Sequence, residues 1–273
     1  MPGLTNDGNT CWMNAALQCL LHVPQLVNFV RHDMFEGCLF KKRKNACDLA
    51  VEFSKLAKAY WTGPEDGERS ASSVLAAFAR VHRAFKGKRH KNDAAEALTL
   101  FVDTLHGALA NKERIADHPV PFEGDAASWN AHATAVGYSL VLDVFAGQRR
   151  LENKTHEFFW GLTLDHSAPV TKALSSYRFT RLPLILMITL QKSEDKQFVT
   201  YDADMRIGEN NFEVRYKLFA VLLHHGGADD GHWTALACHA DSWTHYDDAS
   251  ASTVHVNDVV QRDAALLLYK RVL

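Results

Sequence analysis

A cysteine near the start of the chain sits in a setting suited to nucleophilic chemistry. Gly3-Leu4-Thr5-Asn6-Asp7-Gly8-Asn9-Thr10 leads into Cys11-Trp12-Met13-Asn14-Ala15-Ala16-Leu17-Gln18-Cys19-Leu20. Glycine and asparagine form turns readily and let other backbone approach closely. Behind them Cys11, Ala15 and Cys19 share one helical face, and Trp12, Ala16 and Leu20 the next. Cys11 then occupies the first turn, where free N–H groups and the helix dipole favour a thiolate. A lone cysteine is more often a small buried hydrophobe, and Cys19 is read as one. A nucleophilic thiolate needs a histidine to take its proton and a third group to orient that histidine. The chain has 15 histidines, so residue type alone selects none.

The elements that must position such groups follow from periodicity. No Lys, Arg, Asp or Glu occurs from Gly8 to Val30, so the helix behind Cys11 is expected to be buried nearly all round, with Pro24 as its stop. Residues 47–61 read as a helix with Leu49, Phe53, Leu56 and Tyr60 at helical spacing. Ser72 or Ser73 is expected to cap another, carrying Val74, Leu75, Phe78, His82 and Phe85. The basic run Lys86–Lys91 is a solvated loop. Asp93-Ala94-Ala95-Glu96 has capping-box spacing ahead of the stripe Leu98, Phe101, Val102, Leu105, Leu109.

After Asn111 the texture changes. His118–Pro121 and Gly124-Asp125 read as a connector, and strand-like segments follow. The candidates are Tyr138–Phe145, Glu157–Leu164, Leu184–Leu190, Lys217–Leu223, His232–Cys238, Trp243–Tyr246 and Ala265–Tyr269. The apolar run Leu182–Leu190 reads as a central buried strand. A helical first half and a strand-rich second half indicate an α+β fold.

Composition narrows the function classes. At 273 residues with 47% hydrophobic content, the chain can bury a sizeable core. A net charge of −2 offers no electrostatic case for nucleic acid or anionic membrane. Five cysteines with no C-x-x-C pair argue against a disulfide framework and fit a reducing compartment. Residues 8–30 are too polar to span a membrane, and no basic n-region marks a signal peptide. The expectation is a soluble, intracellular protein, cytoplasmic or nuclear.

Residues 3–20 resemble the Cys box of the ubiquitin-specific proteases, roughly G-L-x-N-x-G-N-T-C-[YW]-M-N-x-x-L-Q-x-L. Three further segments resemble that family in order. Lys91-Asn92-Asp93-Ala94-Ala95-Glu96-Ala97 stands where relatives have Q-Q-D-A-x-E-F, with both Gln and the Phe changed. Leu182–Leu190 is similar to L-P-x-x-L-x-I-x-L. Tyr216–Val221, His224-His225-Gly226 and Gly231-His232-Trp233-Thr234-Ala235 resemble Y-x-L-x-A-V, H-x-G and G-H-Y-x-A, with Trp233 in the usual Tyr position. The resemblance runs from Gly3 to Tyr269. It implies a single catalytic domain over 1–273 with a papain-like architecture: a helical thumb over about 1–120, a β palm over about 136–273, and the active site between them.

The resemblance assigns Cys11 as nucleophile, Asn6 as oxyanion donor, His232 as base, and Asp93 as a holder of ubiquitin's C-terminal tail. Gly226, Gly227 and Gly231 let the loop before His232 bend and a substrate backbone pass close, with Gly231 and Trp233 as substrate contacts. The other histidines of this region, His224, His225, His239, His245 and His255, are read as solvated polar residues. If His232–Cys238 and Trp243–Asp247 form a hairpin, residue 238 faces 243 and 234 faces 247. His232, Thr234 and Asp247 then share a face, with Asp248 on the other. Asp247 becomes the diagonal neighbour of His232, roughly 7–8 Å away along the backbone. The family pattern W-x-x-[FY]-D-D, here Trp243–Asp248, also points to the first Asp; Asp248 is kept as an auxiliary.

The implied reaction is hydrolysis of the peptide or isopeptide bond after ubiquitin's C-terminal glycine. No cofactor is implied, and the partners are ubiquitin or a ubiquitin-like protein and its conjugates. The changed second box leaves open the same chemistry on NEDD8 or SUMO, and a catalytically silent ubiquitin-binding module is the third possibility. Relatives carry two C-x-x-C pairs in a zinc-braced fingers ribbon. Here no cysteine lies between Leu142 and Leu182, and about 35 residues leave room only for a short hairpin. Reduced, zinc-free fingers are expected, and the spacing of Cys and His elsewhere offers no metal site.

Overall fold

A computed structural model describes residues 1–32, 34–40, 42–64, 67, 69–85, 92–111, 126–153, 155–165, 168–191, 198–209, 212–227 and 231–272. The basic run 86–91, the connector 118–125 and the loop tip 228–230 lie outside the described residues.

The first half is helical: α1 (Cys11–Leu21), α2 (Pro24–Arg31), α3 (Met34–Gly37), α4 (Lys44–Thr62), α5 (Ser72–Val81) and α6 (Ala94–Leu109). Every residue of α1 is buried, as its lack of charge requires, because it is wedged between α6 and the sheet. Pro24 does end that helix, but it also opens α2 at the first helical position, where its missing N–H costs nothing. The expected serine cap of α5 is absent. Ala71 holds the N-cap position without a side-chain bond, and the hydroxyls of Ser70 and Ser72 are drawn instead to Asp7.

The second half holds α7 (Ala126–Val136), α8 (Leu140–Phe145), β1 (Gly147–Arg150), β2 (His156–Phe159), β3 (Leu162–Leu164), α9 (Val170–Leu174), β4 (Arg178–Arg181) and β5 (Ile185–Leu190). β6 (Asp204–Glu209), β7 (Phe212–His225), β8 (His232–His239), β9 (Ser242–Asp247), β10 (Ser250–Val254) and β11 (Ala264–Arg271) follow. The expected strand at 138–145 is therefore a helix. Ser139 Oγ accepts from Leu142 N at 3.1 Å at one end, and the buried Arg181 guanidinium reaches the carbonyls of Leu142 and Ala146 at the other. With both ends satisfied, a short apolar segment can be a buried helix as well as a strand.

The large sheet runs β10-β9-β8-β7-β11-β5-β3, with β6 also on β7, and is antiparallel except where β3 meets β5. Both its faces are covered. Ile185, Met187, Leu222 and Leu268 join the helical core, while Leu186, Ile188, Val221 and Leu267 join a second core behind the sheet. This is why Leu182–Leu190 reads as a continuous apolar run rather than an alternating one. Strands β2, β1 and β4 form a separate three-stranded sheet within the segment expected to be a short hairpin. The result is a helical layer packed on a β layer, the α+β papain-like architecture. Among the described residues no helix is long and apolar enough to cross a membrane.

Candidate active site

The site is assembled where the N-terminus of α1 meets the open end of the β8–β9 hairpin. Cys11 is the first residue of α1; Thr10 O accepts Met13 N and Asn14 N, both at 3.0 Å, so the helix begins there. The helix dipole is not the largest influence on the Cys11 thiol. Burial is the largest influence on Cys11 and raises its pKa, with the charge of Asp248 adding to it. The backbone N–H groups of Trp233, Trp12 and Cys11 itself act the other way and are outweighed. Burial thus favours the thiol over the thiolate at this position. Cys19, two turns on, is fully buried, and its pKa is also raised by burial.

β8 and β9 are joined by Ala240-Asp241, both at positive φ (46° and 62°), the two-residue turn that suits a right-twisted hairpin. The register pairs Cys238 with Trp243 and Ala235 with Tyr246, so Thr234 stands opposite Asp247. His232 Nε2 lies 2.7 Å from Asp247 Oδ1, which leaves Nδ1 as the ring nitrogen free for proton exchange. Both side chains are open to solvent, His232 at 41% and Asp247 at 50%, so the pair orients the imidazole and adds little stability.

Asp248, at φ 49°, faces the helix rather than the imidazole. Its Oδ2 accepts from Asn6 Nδ2 and its Oδ1 from Asn14 Nδ2, each at 2.8 Å, while its backbone oxygen accepts from Leu4 N at 2.8 Å. A side-chain atom from each of His232, Asp247 and Asp248 lies within 4.8 Å of the others. Gly3 packs so closely on the Asp248–Ala249 backbone that a Cβ would collide with it. Asn6 Oδ1 accepts from Gly8 N, Thr10 N and Thr10 Oγ1 at 3.0–3.1 Å, which fixes the direction of the amide. One Nδ2 hydrogen goes to Asp248 and the second remains for another acceptor. Asn14 was not foreseen as part of this cluster. Its signal was a polar side chain three residues after Cys11 on an uncharged helix.

Asp93, Gly231 and Trp233 come together in a cavity of about 530 Å³, which Thr163, Gln191 and His224 also line. A Cβ at Gly231 would meet the His224 ring and lie 2.7 Å from the backbone oxygen of Gly227, too close for a side chain without a shift. Asp93 caps α6, its Oδ1 accepting from Ala95 N at 2.7 Å and Glu96 N at 3.0 Å. Of the five histidines read from sequence as solvated, His239 and His255 are exposed, and His224, His225 and His245 are half-buried. His224 packs on Trp233, His239 on Trp61, and His255 Nδ1 accepts from Asn257 N. His225 and His245 both meet the buried hydroxyl of Thr234.

A helix that opens on a cysteine, laid against a sheet that presents His and Asp, is the arrangement of the papain-like cysteine-peptidase class. Residues 2–269 match the family described as ubiquitin carboxyl-terminal hydrolase. Curated relatives include Ubiquitin carboxyl-terminal hydrolase Usp2 of Drosophila melanogaster, 28% identical over 98% of this chain and 34% of its own length. Human Ubiquitin carboxyl-terminal hydrolase 2 is 25% identical over 99% of this chain and 55% of its own length. Among solved structures, the SAGA Ubp8/Sgf11/Sus1/Sgf73 DUB module bound to ubiquitin aldehyde superposes with a TM-score of 0.75. It is 16% identical, with 100% of this chain and 70% of that chain covered. The chain belongs to the ubiquitin carboxyl-terminal hydrolase family. It spans between a third and just over half of the two curated relatives named here.

Proposed function

We propose that this chain is the catalytic domain of a deubiquitinating thiol protease that hydrolyses the isopeptide or peptide bond after ubiquitin's C-terminal glycine. The observation that carries the reading is the meeting of three groups. The His232–Asp247 hydrogen bond stands at the start of β8, and the next backbone N–H, that of Trp233, points at the Cys11 thiol. Because burial favours the Cys11 thiol, His232 acts first as a general base: Nδ1 takes the thiol proton as sulfur attacks the glycyl carbonyl. Asp247 holds the imidazole on its Nε2 side and stabilises the cation that forms. The second Asn6 hydrogen and nearby backbone N–H groups receive the oxyanion. The imidazolium then gives its proton to the leaving amine, leaving a thioester. Water, deprotonated by His232, attacks that thioester and restores the thiol and the imidazole.

In this reading the helices up to about residue 120 are the thumb, the strands from about 136 the palm, and β2-β1-β4 the shortened fingers. Asp93, Gly231 and Trp233 receive the modifier's tail in their cavity. Five free thiols suit an intracellular location, cytoplasmic or nuclear. The altered residues ahead of Asp93 favour testing NEDD8 and SUMO beside ubiquitin. The experiment is reaction with a panel of these proteins bearing C-terminal electrophiles, with Cys11→Ala as control. A covalent adduct with ubiquitin that disappears in Cys11→Ala is expected. Adducts only with another modifier would reassign the substrate, and none with any probe would make the chain a silent binding module.

A further inference from the structure

Thr234 is only 2% exposed, and its hydroxyl is held from two sides. His225 Nε2 lies 2.9 Å from Thr234 Oγ1, and His245 Nε2 lies 3.0 Å from it. Behind His225, its Nδ1 is 2.9 Å from Asp263 Oδ2. Register places this chain of groups directly beside the proposed catalytic pair. His225 is opposite His232 across β7–β8, Thr234 follows His232 by two residues, and His245 precedes Asp247 by two. All lie on one sheet face.

The direction of the bonds can be deduced. Asp263 accepts, so the His225 proton is on Nδ1, and the neutral ring offers only a lone pair at Nε2. Thr234 must then donate to His225 and accept from His245 Nε2–H. Asp263–His225–Thr234 has the bonding order of a hydrolytic triad. Its hydroxyl is sealed from solvent, however, so no acyl group can reach it. Its role is to hold two rings in place.

That hold falls where the hairpin needs it. His232 is the first residue of β8 and Asp247 the last of β9, at the open end of the hairpin. Both are partly exposed, so packing alone does not fix their orientation. The Thr234 clamp is a lateral link across β7, β8 and β9 close beside that end. We propose that His225 and His245 are positioning residues for the His232–Asp247 pair, acting through the Thr234 hydroxyl that both rings hold. The proposal rests on the reading of His232 as the base.

The groups facing His225 and His245 are His232 on β8, Asp247 on β9 and Asp263 ahead of β11, with Asp248 and Cys11 beyond the pair. Burial lowers the His245 pKa, Asp247 opposes that, and His225 and His232 add to it, so the imidazoles interact with one another.

The test is the NMR spectrum of the His232 ring in the unliganded protein at one fixed pH, set beside kcat and KM on a ubiquitin C-terminal amide. His225→Gln keeps a hydrogen-bonding group for Thr234 without a titrating charge; His225→Ala removes both. The His232 ring resonances should move in His225→Ala and stay near their wild-type positions in His225→Gln. kcat should fall about tenfold in His225→Ala, with KM little changed, and recover to within about threefold in His225→Gln, because only the latter keeps the clamp. His232 resonances unmoved in His225→Ala would overturn the proposal, as would equal kcat in the two variants. The NMR arm needs no turnover, so a wild type inactive on ubiquitin would refute the proposed function separately.

Discussion

Replacing Asp93 separates two roles that one carboxylate plays. Its Oδ1 takes both cap bonds of α6, from Ala95 N and Glu96 N, while the residue itself lines the cavity shared with Gly231 and Trp233. Asparagine caps a helix as well as aspartate, whereas alanine costs about 1 kcal/mol. For a chain of this size that loss lowers Tm by about 2–4 °C. Asp93 is exposed, so an ion pair with a basic substrate tail contributes about 1 kcal/mol after solvent screening, or about fivefold in KM. Asp93→Asn should therefore raise KM about fivefold and move Tm by no more than the small loss of a charge at the helix N-terminus. Asp93→Ala should show the same KM and the full fall in Tm. Thermal melts and steady-state kinetics on a ubiquitin C-terminal amide, at low and at about 0.5 M salt, read both. Salt should erase the KM difference, since exposed pairs are screened. If Asp93→Asn has the wild-type KM, the carboxylate is a cap and nothing more.

Asp247→Ala should lower kcat/KM by about 10²–10⁴, since the imidazole loses the group that orients it, and Asp248→Ala by about tenfold; the reverse order would refute the assignment. Asp248→Ala should also speed iodoacetamide alkylation of Cys11 at fixed pH, because the charge of Asp248 helps raise that thiol's pKa. Metal analysis should find no stoichiometric zinc, and a chelator should leave Tm and activity unchanged; one tightly bound zinc per chain would overturn the reading of the fingers. Burial takes His22 from 6.5 to about 4, so between those pH values the unfolded chain binds a proton that the folded chain refuses. Stability should thus fall as pH drops through 6.5 toward 4, by about 3 kcal/mol from this group. Denaturant melts at pH 7 and 4.5 should show that loss shrinking by a similar amount in His22→Gln.

Much of this protein is decided locally. The helices at 11–21, 44–62, 72–81 and 94–109 follow from apolar spacing, because one buried face imposes a 3.6-residue period whatever covers it. The β8–β9 register, and with it the pairing of His232 to Asp247 rather than Asp248, follows from strand alternation once the turn is placed at 240–241. Family membership was legible in the boxes around Cys11, Asp93 and His232, since each carries its own motif residues.

What remained depended on groups distant in the chain. Residues 140–145 are a helix because Ser139 and Arg181 satisfy its two ends, and Arg181 lies far along the sequence. Strands β1, β4, β6 and β10 are short and largely polar, and exist only through their partners. The pKa of Cys11 is raised because the burial contributed by the assembled fold outweighs the N–H groups around the thiol. Asn14 finds Asp248, 234 residues away, and His225 finds Asp263 and Thr234 only once β7 lies between β8 and β11. Periodicity is a property of neighbours along the chain. Protonation states and hydrogen-bond partners are set by desolvation and contact, which exist only after distant segments have packed together.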